Sequence, residues 1–79
     1  MNLREDMFAQ LYQAGALGEV RVELHKGYAT VVFKLLADGV QGVVHTKRGE
    51  VKQYRVETAL RTLWSIGLES VPVDMRGWD

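Results

Sequence analysis

Residues 40–68, VQGVVHTKRGEVKQYRVETALRTLWSIGL, decide how this chain is read. They spell strand, tight turn, strand and helix, closed by a helix stop. Residues 40–46 suit a strand, and Lys47-Arg48-Gly49 a turn whose glycine takes positive φ without a Cβ clash. Residues 51–55 suit a returning strand. From Val56 the period changes. Val56, Ala59, Leu60 and Leu63 fall at i, i+3, i+4 and i+7, with Glu57, Thr58, Arg61, Thr62 and Ser65 opposite. Gly67 fits the left-handed position after the helix, and Leu68 can fold back on Leu63. Trp64 is read as a residue of the core or its edge.

Working outward, the same strand-and-turn pattern recurs upstream. Ala29, Val31, Phe33 and Leu35 alternate with Tyr28, Thr30, Val32 and Lys34. Val20, Val22 and Leu24 alternate with Glu19, Arg21 and Glu23. The turns between end on Gly27 and Gly39, which together with Gly49 predicts a four-stranded antiparallel meander. Gly42 marks a bulge or a close helix crossing. Ahead of the strands, Asn2 reads as a helix cap with Glu5 completing a capping box. Leu3, Met7, Leu11 and Ala14 form the apolar stripe, and Gly15 or Gly18 the stop. Residues 70–75 read as a short last strand, placed at an edge by Pro72. Trp78 is expected to fold back on the core. The expected fold is α+β, α-β-β-β-β-α-β: two layers, a four-stranded antiparallel meander plus a short edge strand, with both helices on one face.

Seventy-nine residues leave room for one core, so a single domain is expected. At 47% hydrophobic and 25% charged the composition is that of a folded protein, which argues against disorder. There is no cysteine, hence no disulfide and no thiolate metal site, and a chain this small without staples makes homodimerisation an open alternative. The N-terminal residues lack the long apolar run of a secretory signal or a membrane span, and the absence of cysteine fits a cytoplasmic protein.

Catalytic chemistry finds little to work with. His25 and His45 are the only histidines, and both fall beside turns. No nucleophile motif, metal-ligand spacing or phosphate-cradling glycine loop occurs, and the glycines are spread one to a turn. The expectation is a non-enzymatic protein with no cofactor, no metal and no evident small-molecule substrate.

Charge is the more telling signal. The formal net charge is zero, yet residues 45–61 carry five of the ten Lys and Arg against two acids, a local net of +3. Residues 62–79 carry Arg76 against Glu69, Asp74 and Asp79, a local net of −2. Lys47, Arg48, Lys52, Arg55 and Arg61 gather around one hairpin and the start of one helix, with Tyr54 between them as a stacking group. A cationic ribbon of this kind suits phosphates, so the six residues are the candidate nucleic-acid or partner-binding site. The alternative is a solvated hairpin whose charges blunt an edge strand. A third reading is an apolar patch, from Val32, Leu36 and Trp78, that docks a second copy or a larger protein.

The segments TKRGEVKQY, ALRTLWSIGL and VDMRGW together resemble small plasmid- and integrative-element-borne proteins associated with partition or replication. The positions that carry the resemblance are Arg48, Gly49, Tyr54, Ala59, Leu63, Gly67, Val73, Asp74 and Trp78, in under half of the chain. The resemblance implies an accessory protein of a mobile genetic element. Such a protein would be either a DNA-associated maintenance factor or a binding inhibitor of host defence, of the anti-CRISPR or anti-restriction kind. The partner is then DNA or a larger protein complex.

Overall fold

The computed structural model describes residues 2–78. The chain is a small α+β fold with a five-stranded mixed sheet and two helices. The elements are β1 (Asn2–Arg4), α1 (Glu5–Gln13), β2 (Leu17–His25), β3 (Tyr28–Leu35), β4 (Gln41–His45), α2 (Val56–Ile66) and β5 (Val73–Gly77). The sheet order is β1-β4-β3-β2-β5. β2–β3 and β3–β4 are antiparallel, as the hairpin glycines predict. β1 is parallel to β4, however, and β5 to β2. β3 alone therefore opposes the other four strands, and the sheet is mixed rather than a simple meander.

Three expected elements change. Asn2 does not cap a helix: residues 2–4 pair with β4, and α1 begins at Glu5 after Arg4, with no side-chain cap. The core-facing stripe of α1 keeps Leu11 as expected but exchanges Met7 and Ala14 for Phe8 and Tyr12. The fourth strand expected over 51–55 reduces to two isolated bridges, His45 with Val51 and Ala29 with Tyr54. Residues 51–54 slip in beside the start of β3, where Tyr54 and Ala29 exchange both backbone hydrogen bonds at 2.7 and 2.8 Å. Finally, the bulge lies in β2 and not at Gly42, which pairs regularly with Phe33.

That bulge explains an irregular spacing. Leu17 and Val20 are three residues apart, so an unbroken strand would send them to opposite faces. One extra residue between Gly18 and Arg21, with Glu19 at φ 51°, keeps both buried in the core. The hairpin glycines Gly27, Gly39 and Gly49 all take positive φ, as expected from their turns.

Both helices cover the same face. Parallel strands need a crossover, which α1 supplies from β1 to β2 and α2 from the 51–54 segment to β5. The two crossovers travel the same way across the sheet, so the common right-handed rule puts both helices on one side. There Phe8, Val22, Val31, Phe33, Val44, Ala59 and Leu63 form the sealed core, with the rings of Phe8 and Phe33 5.6 Å apart. Pro72 precedes the edge strand and its carbonyl accepts the Val22 N–H at 3.0 Å, in keeping with the edge position expected.

Candidate partner-binding face

The six residues nominated from charge do not act as one surface. Lys47 and Arg48 stand exposed at the hairpin tip, where the Thr46 hydroxyl accepts the N–H groups of Arg48 and Glu50, each at 3.3 Å. Arg55 is also exposed, as the residue that opens α2. Lys52 turns inward: its ammonium donates to Glu5 at 2.8 Å and lies 5.2 Å from the centre of the Tyr54 ring. Tyr54 is 5% exposed and its hydroxyl donates to the same Glu5 oxygen at 2.5 Å. Its ring is packed in the core cluster and is not open to a base. Arg61 is held by Glu57 one turn back, at 2.7 Å.

The Glu5 carboxylate thus joins the first turn of α1 to the segment that leaves the sheet. Burial pushes its pKa up, but the hydrogen bonds from Lys52 and Tyr54 outweigh this, so it settles below the ordinary carboxylate value. Burial, and then the bond to Glu5, push the Tyr54 phenol well above its usual range. Glu5 and Tyr54 tie α1 to the segment that leaves the sheet, a role that local charge counting does not reveal.

The open face of the sheet forms a shallow groove of about 460 Å³. Four of its polar side chains pair with one another. Arg21 donates to Glu23 at 2.8 Å, His25 bonds the Thr30 hydroxyl at 3.0 Å, and the His25 ring stacks on Tyr28 at 4.7 Å. Val32, expected to be exposed there, is buried by its neighbours. This face has the polar alternation of an ordinary solvated sheet surface.

The outer side of α2 is different. Trp64, expected at the core or its edge, is 67% exposed, and Leu60 one turn earlier, expected in the buried stripe, is 39% exposed. Trp78, expected to fold back, is half exposed. The reason for Trp64 is angular. The helix buries Ala59 and Leu63, and at 100° per residue Trp64 lies about 120° from the middle of that arc. The stripe read from sequence was too wide by one residue on that side. Weighting it on Ala59 and Leu63 rather than on Leu60 would have found the exposed indole.

Trp64 stands between two hollows. The larger, about 380 Å³, is floored by Leu63, Leu68 and Val71 and rimmed by Leu60, Arg61, Glu69 and Ser70. The smaller, about 220 Å³, lies between Trp64, Gly67 and Glu69. Local backbone chemistry sets this shape. Gly67 at φ 125° ends the helix, with the Leu68 N–H on the Leu63 carbonyl at 3.0 Å and the Gly67 N–H on the Trp64 carbonyl at 3.1 Å. The turn tucks Leu68 under the helix, as expected, and leaves Trp64 on the rim.

No protein-family model matches the chain, and no curated protein or solved structure matches it either. Among the described residues no helix is long and apolar enough to cross a membrane. The fold and the site together define a small α+β domain with an exposed apolar surface on its second helix.

Proposed function

We propose that the protein works by binding rather than catalysis, and that it seats a protein partner on the outer side of α2. The observation that carries this is the exposure of Trp64 beside Leu60 and an apolar hollow. Contiguous exposed apolar surface of this kind marks interaction sites, and tryptophan is among the residues that dominate interface energies. Such a protein covers or recruits a site on a larger molecule, which suits the inhibitor role, the alternative to a DNA-associated maintenance factor among the two roles that the resemblance implies. Affinity capture from host extract tests the reading. The partner should be lost with Trp64→Ala and kept with the pair Lys47→Ala and Arg48→Ala. A partner indifferent to Trp64→Ala would overturn it.

The nucleic-acid reading keeps Lys47, Arg48 and Arg55, which are exposed and in no ion pair with a described residue. Three phosphate contacts would give a log–log salt slope of only about −2.7 on duplex DNA. That suits weak, non-specific contact and makes this the lesser reading.

A further inference from the structure

Three features of negative character meet at the C-terminal end of α2. The first is the indole of Trp64, whose π face attracts cations. The second is the Glu69 carboxylate, exposed and without an ion pair to any described residue. The third is the negative pole of α2 itself. Its last turn has no basic residue, although a cation normally complements that end. Gln13 donates to the Ile66 carbonyl at 3.3 Å, a neutral group where a charge would fit. Arg61, the nearest cation on the helix, stands on the rim of the larger hollow and is paired with Glu57 at 2.7 Å.

Resting on the docking face proposed above, we infer that this end of α2 recognises an arginine or lysine side chain of a partner protein, set beside an apolar residue of the same segment. The smaller hollow, between Trp64, Gly67 and Glu69, takes the cationic head. The larger hollow, floored by Leu68 and Val71, takes the apolar neighbour. Trp64 and Glu69 line both hollows, so one segment crossing the ridge meets both. Arginine suits the site better than lysine, because its planar guanidinium stacks on an indole while still donating to a carboxylate.

The test is selection of a random-peptide phage library on the folded full-length chain, followed by affinity measurement on the enriched peptides. The expected result is enrichment of Arg or Lys beside an apolar residue. Replacing that Arg by citrulline, which keeps the shape and removes the charge, should weaken binding about tenfold. Glu69→Gln should weaken it similarly, and Glu69→Lys should shift selection toward acidic peptides. Peptides that need Trp64 but tolerate citrulline would overturn the cation inference and leave the docking face standing. Enriched peptides indifferent to Trp64→Ala would overturn both. Sedimentation velocity supplies a further check: self-association abolished by Trp64→Ala would make a second copy the occupant and overturn the partner segment. Both side chains are exposed, so the variants keep the core, which a far-ultraviolet circular dichroism spectrum verifies.

Discussion

Tyr54→Phe removes one oxygen and with it the bond that pins the start of α1 to the segment leaving the sheet. The acceptor is a carboxylate, and a hydrogen bond to a charged group contributes about 1.5–3 kcal/mol. Glu5 keeps Lys52 and its side chain is 37% exposed, so water replaces part of what is lost. That places the cost at the lower end, about 1.5 kcal/mol, or about 6–12 °C in Tm for a domain of this size. Thermal unfolding followed by circular dichroism at neutral pH reads it directly. A double-mutant cycle with Glu5→Gln should show coupling of about 1 kcal/mol, because the two side chains share the bond. The sign with pH follows from the lowered pKa of Glu5. Its stabilisation is fully present above the ordinary value of 4.5 and is lost as the pH falls through the lower folded value. The gap between wild type and Tyr54→Phe should therefore narrow in acid. A variant melting within about 2 °C of wild type at neutral pH, or additive single mutants, would refute the tie.

Other substitutions probe the remaining claims. Phe8→Ala should cost about 3–5 kcal/mol in urea unfolding, while Met7→Ala should cost less than about 1, a contrast that fixes which face of α1 is buried. At the bulge, Glu19→Val should destabilise by about 1–2 kcal/mol because φ 51° crowds a β-branched side chain, and Glu19→Gly should be neutral or mildly stabilising. Equal effects of the two substitutions would count against the bulge geometry. Gly67→Ala should lower stability by about 1 kcal/mol or more at φ 125°, measured by the same unfolding.

Local patterns account for the parts of the fold that were legible. Turn glycines at 27, 39 and 49, alternation in β2 and β3, and the Ala59–Leu63 stripe with its Gly67 stop each follow from a few neighbouring residues. What escaped was set by distant pairing. Residues 2–4 carry no strand signature of their own and become β1 only because β4 offers them an edge. Nothing near Val73 announces that β5 runs parallel to β2. The bulge was expected at Gly42, and the spacing of Leu17 and Val20, which breaks the alternation where the bulge does lie, went unread. The candidate site divides in the same way. Charge clustering along the chain picked out Lys52, Tyr54 and Arg61, but Glu5, 47 residues from Lys52, and Glu57 engage them. Trp64 was visible as a residue and misplaced by one step of helix rotation.

The central claim is that α2, and not the basic hairpin, carries the binding surface. The most direct measurement is the affinity of a captured or selected partner for Trp64→Ala beside the double variant Lys47→Ala and Arg48→Ala. A tryptophan at the heart of an interface costs about 2–4 kcal/mol when truncated, so binding to Trp64→Ala should weaken at least about thirtyfold while the hairpin variant binds like wild type. Binding that survives Trp64→Ala and collapses with the hairpin variant would contradict the account.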